Sequence, residues 1–405
     1  MDRLVKKYAA KLISAGLASP QEQLSPIIGG LDDELIWNRR GKETETLEKV
    51  FSGLSINALV LLKPAEPYAG IIQHLAREAL IHQRAIAPND CETRTFLHDL
   101  PVVESFEPDR IIAVLKRRKS VIVASHKGAL NAGPAIITYG TVSPEQGFVV
   151  ASSVCFAAFV KFFADYLETL KAASPDAANH ALFDKVVEQL PPLHRALPRL
   201  MAAPFSSESL VCQAIAEAGR QTVDYKLVDS YFGNISYRWR GSLYISQTGS
   251  SLDELEGCID PVALDGSNSA ALTASSELSA HMEALARTNC RAMIHGHPKF
   301  SVIMSMDCDP EEKAICRFSD RCHIDCPKPR FIEQIPIVPG EVGTGPTGLC
   351  HTLPPALENH PAAIVYGHGL FALGKTDFRE AFGNLIEAEA ICRDAFFNAV
   401  NALRL

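Results

Sequence analysis

Positive charge is in deficit along this chain: 39 Lys and Arg stand against 47 Asp and Glu, a formal net charge of −8 over 405 residues. A surface of that balance is a poor partner for nucleic acid or anionic lipid, although a small pocket for an anionic metabolite can still be locally basic. No apolar run of roughly 18 residues stands out, so no membrane span is predicted. The N-terminal stretch MDRLVKKYAAKLISAGLA reads as an amphipathic helix rather than a signal peptide, and a cytoplasmic protein without nucleic-acid or membrane partners is the expectation. An even set of cysteines is missing too. The eleven present, in a chain without an export signal, predict free thiols or metal ligands rather than a disulfide framework. What is there is the composition of an ordinary folded protein, 47% hydrophobic and 21% charged, in a chain long enough for two cores.

The order of local patterns recurs along the chain. SVIVASHKGALNAG (120–133) is an apolar strand followed by a His-Gly turn, with a long helix pattern after it, and AAIVYGHGLFALG (362–374) leads into a second long helix pattern in the same way. An earlier pair can be laid together as well, FSGLSINALVLLKPAEP (51–67) on FGNISYRWRGSLYISQTGSS (232–251), and IIQHLAREAL (71–80) on ELSAHMEALA (277–286). Between the halves lies a stretch punctuated by proline, SPDAANHALFDKVVEQLPPLHRALPRLMAAPFSSE. These features predict an α/β domain over 1–173, a linker over 174–205 and a second α/β domain over 206–405. On this pairing His98 falls opposite His295 and His126 opposite His368, while Leu100 and Gly70 fall where His297 and Glu277 would be. The first half is therefore expected to be degenerate and to serve folding or assembly.

The chemistry concentrates in the second half. In the strand-like AMIHGHPKF, alternate residues face one side, so His295 and His297 can present two imidazoles to one metal with Gly296 leaving room between them. A third ligand is available in His368 of VYGHGL, at the end of another apolar strand and between two glycines that let the backbone come close. Three neutral imidazoles suit zinc, with other divalent metals as alternatives, and they leave a coordination position open for substrate or water. Taken singly, each histidine is an ordinary core or surface residue; the combination is what points to a metal. Ser275-Ser276-Glu277 reads equally as a helix N-cap with an acidic first turn.

From Tyr231 onward the chain resembles the class II aldolase/adducin family in four motifs that occur in family order: GNISYR (233–238), ISQTG (245–249), SSELSAH (275–281) and the pair IHGH with GHG (294–297, 367–369). The resemblance implies a three-layer α/β/α fold with a mostly antiparallel central sheet, here expected twice in tandem. It also implies roles: Asn234, Gly249, Ser275 and Ser276 holding a substrate phosphate, Glu277 as general base, and His295, His297 and His368 as zinc ligands. The implied activity is a zinc-dependent aldolase working on a phosphorylated ketose through an enediolate. Epimerisation or dehydration of a sugar phosphate on the same scaffold, and an adducin-like interaction protein without catalysis, are the alternatives. His281 is expected to be structural or to support the site from behind.

Departures from the family pattern are also legible. The insertion 306–331 supplies Cys308, Cys316, Cys322 and Cys326, with His323 as a substitute, and this set predicts either a structural metal or cluster, or free thiols. GTGPTG (343–348) fits a dinucleotide fingerprint but lacks the flanking strand and uninterrupted helix such a site needs, and is read as a loop. Family architecture places active sites between subunits, so a homo-oligomer is expected, such as a dimer of tandem chains forming a pseudo-tetramer or a larger assembly.

Overall fold

Short runs rich in Val, Ile, Leu and Ala, such as ALVLL (58–62), SVIV (120–123) and AAIV (362–365), form strands buried on both faces, and the amphipathic stretches between them form the covering helices. The computed structural model describes residues 1–124, 133–172, 177–228, 231–319 and 321–404. It divides into one unit of Met1–Tyr166 with Pro175–Pro191 and another of Leu167–Ser174 with Pro192–Leu405. The segment 174–205, read from sequence as a linker, is shared between the two: its helix at Ala177–Glu188 counts with the first unit, and everything from Pro192 counts with the second.

The first unit contains α1 (Asp2–Ser14), β1 (Ile27–Leu31), β2 (Leu35–Trp37), α2 (Thr44–Ser52), β3 (Ala58–Leu62), α3 (Tyr68–Ile81), α4 (Cys91–Leu97), β4 (Val102–Val103), α5 (Pro108–Leu115), β5 (Ser120–Val123), β6 (Ala135–Gly140), α6 (Pro144–Lys171, whose end counts with the second unit) and α7 (Ala177–Glu188). Its sheet runs β2-β1-β3-β6-β5-β4, antiparallel except for the β4–β5 pair. One face of the sheet packs Leu59, Leu61, Val121, Val123 and Ile137 against Leu47, Val50 and Phe51 of α2 and Ile111 and Leu115 of α5. The expectation that no apolar stretch reaches membrane-spanning size is corrected by α6, a helix of 28 residues that passes that test by length and composition. With 83% of its apolar window buried, it is accounted for as a core helix.

The second unit contains α8 (Glu208–Asp224), β7 (Asn234–Trp239), β8 (Ser242–Ser246), β9 (Ile259–Ala263), α9 (Leu278–Arg287), β10 (Ala292–Gly296), α10 (Lys299–Met306), α11 (Pro310–Ile315), β11 (Arg330–Ile332), β12 (Ile335–Val338), α12 (Leu349–Leu357), β13 (Ala362–Val365), β14 (Gly369–Gly374) and α13 (Phe378–Arg404). The sheet order is β11-β12-β13-β14-β10-β7-β8-β9, with only β12 and β13 parallel. Helices α9 and α12 cover one face through Ala280, Ala284, Leu285, Leu349, Leu353 and Leu357, which pack on Leu243, Met293, Val365, Phe371 and Leu373. Strands β10, β14 and β7 also pack against α13 and α8. The result is a three-layer α/β/α unit with a mostly antiparallel sheet. GTGPTG lies in the connection between β12 and α12.

The strand pairing corrects how the two halves were laid together from sequence. Residues 58–62 form β3, the third strand of their sheet in chain order, whereas 234–239 form β7, the first of theirs. Gly70 and His74 lie in α3, after β3, whereas Glu277 and His281 precede β10; His98 ends α4 and lies in no strand. His126 lies outside the described residues. Local spacing cannot fix which strands pair, because that is settled by long-range register.

A candidate metal centre with a buried carboxylate

β10 is short and ends at Gly296, so His295 stands on the face that Met293 shares with α9 and α12, and His297 follows just past the strand. The strand pairs antiparallel with β14, which places His295 opposite Phe371, and with β7, which places it opposite Asn234. The imidazole of His295 stacks on Phe371 with ring centroids 3.8 Å apart. His368 arrives from the tight turn joining β13 to β14, where Gly367 has φ +58°. That turn is held by α10: the Gly367 N–H donates to Ser305 Oγ at 2.8 Å. In turn α10 begins at Lys299, directly after His297 and Pro298, and the buried carboxylate of Glu389 on α13 accepts from the Phe300 and Ser301 N–H groups at 3.0 and 2.8 Å. Gly369 is required where it stands. A Cβ there would lie 2.6 Å from the Gly296 carbonyl oxygen, 2.6 Å from His295 Cε1 and 2.9 Å from His297 Cδ2.

The three imidazoles converge. His295, His297 and His368 are all buried, and their ligand atoms lie within 4.8 Å of one another. His295 Nε2 and His297 Nε2 are 2.9 Å apart. His295 Nδ1 faces the Leu370 carbonyl oxygen at 3.2 Å, and since a carbonyl can only accept, Nδ1 carries the proton and Nε2 turns a lone pair toward the cluster. Phe232 stacks on His297 at 5.5 Å and 17°. Nitrogen lone pairs brought together in a dry pocket are the donor set of a divalent cation, and the carbonyl behind His295 is the kind of partner that orients a metal-binding imidazole. The residues present therefore fit a metal, and zinc fits their chemistry.

Glu277 is the N-cap residue of α9 and is 4% exposed. Its Oε1 lies 3.2 Å from His368 Nε2 and its Oε2 lies 3.4 Å from His295 Nε2. The Asn234 side-chain amide donates to Oε2 at 2.6 Å. Burial pushes this carboxyl upward, but the pull of the His295 and His368 rings when protonated, the His368 hydrogen bond and the Asn234 amide outweigh it and hold the group well below the usual carboxylate range. Burial drives the imidazoles the other way, His295 down to about 3 and His297 well below its ordinary value, which favours the neutral form that coordinates metal. Behind them, His281 Nδ1 meets Ser236 Oγ at 2.7 Å, and burial pushes this imidazole down to about 4.

The phosphate set expected from sequence is only partly gathered. Ser275 N–H donates to the Ser246 carbonyl at 3.1 Å, Thr248 N–H to the Thr273 carbonyl at 3.0 Å, and Ser276 N–H to Thr248 Oγ1 at 3.2 Å. The Thr248–Gly249 turn is thereby stapled to the start of α9, with Gly249 at φ +70° and both Gly249 and Ser276 exposed. Ser275 is buried and accepts from the Glu277 N–H at 3.3 Å. Asn234 is turned instead to Glu277, which identifies it as a support of the carboxylate. Thr248 and Phe232 went unnoticed in the sequence. Thr248 was visible inside ISQTG, whereas nothing local marks Phe232.

Of the two readings of the cysteine insertion, the geometry favours free thiols. Among the described residues the three histidines are the one group of three or more His, Cys, Asp or Glu side chains with ligand atoms mutually within 4.8 Å. Cys308, Cys316, Cys322 and Cys326 are partly exposed and free of disulfides, and they do not form such a group. Cys322 Sγ donates to the Phe318 and Ser319 carbonyls at 3.6 and 3.5 Å, and burial pushes its thiol up, away from the thiolate that a metal would need.

Comparison with known proteins gives one family match: residues 213–396 fit the Class II Aldolase and Adducin N-terminal domain. No curated protein matches. Among solved structures, L-fuculose-1-phosphate aldolase from Thermus thermophilus is similar at 23% identity, covering 48% of this chain and 97% of that one, with a TM-score of 0.38. A sugar-phosphate aldolase from Thermotoga maritima has 18% identity, 46% and 93% coverage, and a TM-score of 0.33. The N-terminal class II aldolase domain of a conserved protein from Thermoplasma acidophilum has 14% identity, 48% and 97% coverage, and a TM-score of 0.33.

Proposed function

We propose, from the match of residues 213–396 to the class II aldolase and adducin domain, that the protein is a metal-dependent aldehyde-lyase, forming or cleaving a C–C bond in a phosphorylated ketose. His295, His297 and His368 would hold the cation, with zinc the best match to three imidazoles. When bound, the metal supplies Lewis-acid polarisation of a substrate oxygen and a counter-charge for the electron density that collects there. The chain supplies the rest. Glu277, anionic and held by Asn234, takes up the proton lost beside the carbonyl in one direction and returns it in the other. The Thr248–Gly249 turn and the start of α9 at Ser275 and Ser276 offer hydroxyl and backbone N–H donors to the phosphate. Burial of the cluster keeps water from competing for the same positions.

The observation that carries this reading is the approach of one buried carboxylate to two of three convergent, buried imidazoles, at 3.2 and 3.4 Å. The test is to load the purified protein with zinc and incubate it with a panel of phosphorylated ketoses, following aldehyde release. Aldehyde formed by the wild-type protein and not by Glu277→Gln supports the reading. Inversion at a carbon or loss of water in place of aldehyde would transfer the assignment to an epimerase or dehydratase, and a metal-loaded protein inert to the whole panel would overturn catalysis on sugar phosphates.

A further inference from the structure

The two sheets, each taken by itself, have the same plan. Read across the sheet, the first unit arranges its strands as β4-β5-β6-β3-β1-β2 and the second as β12-β13-β14-β10-β7-β8, with one further strand at each edge of the second. The single parallel pair falls at the same place, β4–β5 and β12–β13. Register agrees as well. Leu61 pairs with Ile27 on one side and Ile137 on the other, as His295 pairs with Asn234 and Phe371. Gly140 closes β6 opposite Ala58, as Gly374 closes β14 opposite Ala292. Even a side-chain bond recurs: Asn38 Oδ1 accepts from the Ile28 N–H at 2.7 Å where Ser246 Oγ accepts from the Ile235 N–H at 3.2 Å.

The register carries the metal centre across. Leu61 stands at the place of His295, and two residues on, Lys63-Pro64 stand at the place of His297-Pro298. The carboxylate is kept: Glu43 is the N-cap of α2, the helix before β3, as Glu277 is the N-cap of α9, the helix before β10. Glu43 and Lys63 are both buried, and Lys63 Nζ donates to Glu43 Oε1 at 2.7 Å and to the Gln23 carbonyl at 3.2 Å. Leu61 meanwhile belongs to the apolar cluster under α2. Burial pushes the Glu43 carboxyl up, but the hydrogen bond and charge of Lys63 outweigh this and keep it anionic.

We infer that the first unit is a second copy of the same fold in which the Lys63 ammonium occupies the place that a bound cation takes in the histidine copy. An internal, covalently attached cation satisfies the buried carboxylate there, so this unit needs no metal to fold and holds no catalytic metal, and each chain carries one. The metal count rests on the aldolase reading of the second unit, whereas the Glu43–Lys63 pairing does not. The chemical logic is that a buried carboxylate deprived of its partner is costly, while replacing both partners by neutral groups of similar size is tolerated.

The experiment combines a double-mutant cycle with metal analysis on the full-length chain. Lys63→Met should lower the melting temperature of the affected transition by roughly 10 °C, and Glu43→Gln with Lys63→Met should recover more than half of that loss. Zinc content should be one per chain in the wild type and in the double variant, and none when His295 and His297 are both alanine. If Lys63→Met does not fold at all, the double variant decides. Overturning results are a Lys63→Met protein as stable as wild type, a double variant no better than the single one, or one zinc retained by the protein lacking His295 and His297. A wild type that binds no zinc while the stability cycle behaves as stated would sink the metal reading of the second unit and leave the ion-pair assignment standing.

Discussion

Glu277 Oε1 lies 3.2 Å from His368 Nε2, although the first sits at the start of a helix on one side of β10 and the second in a turn on the far side of β14. An Nε2 that donates its proton to this carboxylate cannot at the same time offer a lone pair to a cation. A cation held here would need His368 to carry its proton on Nδ1 instead, and would leave the Glu277 carboxylate free to take up a proton.

Glu277→Gln should keep the metal and lose turnover by about 100-fold or more, the range for removal of a general base. The amide keeps the size of the side chain but cannot take up a proton. Metal stoichiometry measured beside kcat separates this from ligand damage, and a near wild-type kcat would remove Glu277 from the mechanism.

Alanine at His295, His297 or His368 should each abolish stoichiometric zinc binding, since two imidazoles make a poor site. Far-UV circular dichroism should stay close to wild type, because the flanking strands are held by backbone pairing. One zinc retained by any of the three would exclude that residue from the ligand set.

Gly369→Ala tests the close approach of β14 to β10 without altering a ligand. The added methyl meets the Gly296 carbonyl and both imidazole edges at under 3 Å, so the strand or the rings must shift. A loss of about 1–3 kcal/mol in stability is expected for such overpacking, together with weaker zinc binding by competition with a chelator. Unchanged values for both would show that the site is looser than its spacing implies.

Asp90 provides a pH-dependent prediction. It is fully buried as the N-cap of α4, accepting from Thr93 N–H at 2.8 Å, and burial pushes its carboxyl from 3.8 up to about 6. Because the folded value is the higher one, the stabilisation by its proton is complete below about pH 4 and is lost as pH rises through about 6. Asp90→Asn cannot ionise and retains a capping oxygen, so its stability relative to wild type should rise between pH 4 and 7 by on the order of 3 kcal/mol. Urea unfolding of both proteins across that interval checks it, and parallel pH curves would refute it.

Cys322→Ser should leave metal content unchanged, and a thiol reagent applied to the native wild type should modify the partly exposed Cys308, Cys316, Cys322 and Cys326. A metal lost from the serine variant while the histidine site stays loaded would restore the metal clip expected from the spacing alone.

The sequence by itself determined the candidate site residues and their immediate backbone. His295-Gly296-His297 at the end of an apolar strand, His368 between glycines, and Glu277 at a helix start are all set by local pattern, because strand period and capping preference act over a few residues. Tertiary structure decided everything that depends on which strands are neighbours. Only the β7–β10–β14 pairing puts Asn234 against Glu277, and only the stapling of Thr248 to Ser276 sets the Thr248–Gly249 turn beside the start of α9. The cysteine spacing left a metal clip and free thiols both open, and among the described residues the four do not gather into a clip, since the positions of sulfur atoms along a loop do not fix where they point. Glu43 and Lys63 went unread for the same reason. A lysine after an apolar strand carries no local sign of burial, and the register that sets it where His297 stands in the other sheet is made by backbone hydrogen bonds between residues far apart in the chain.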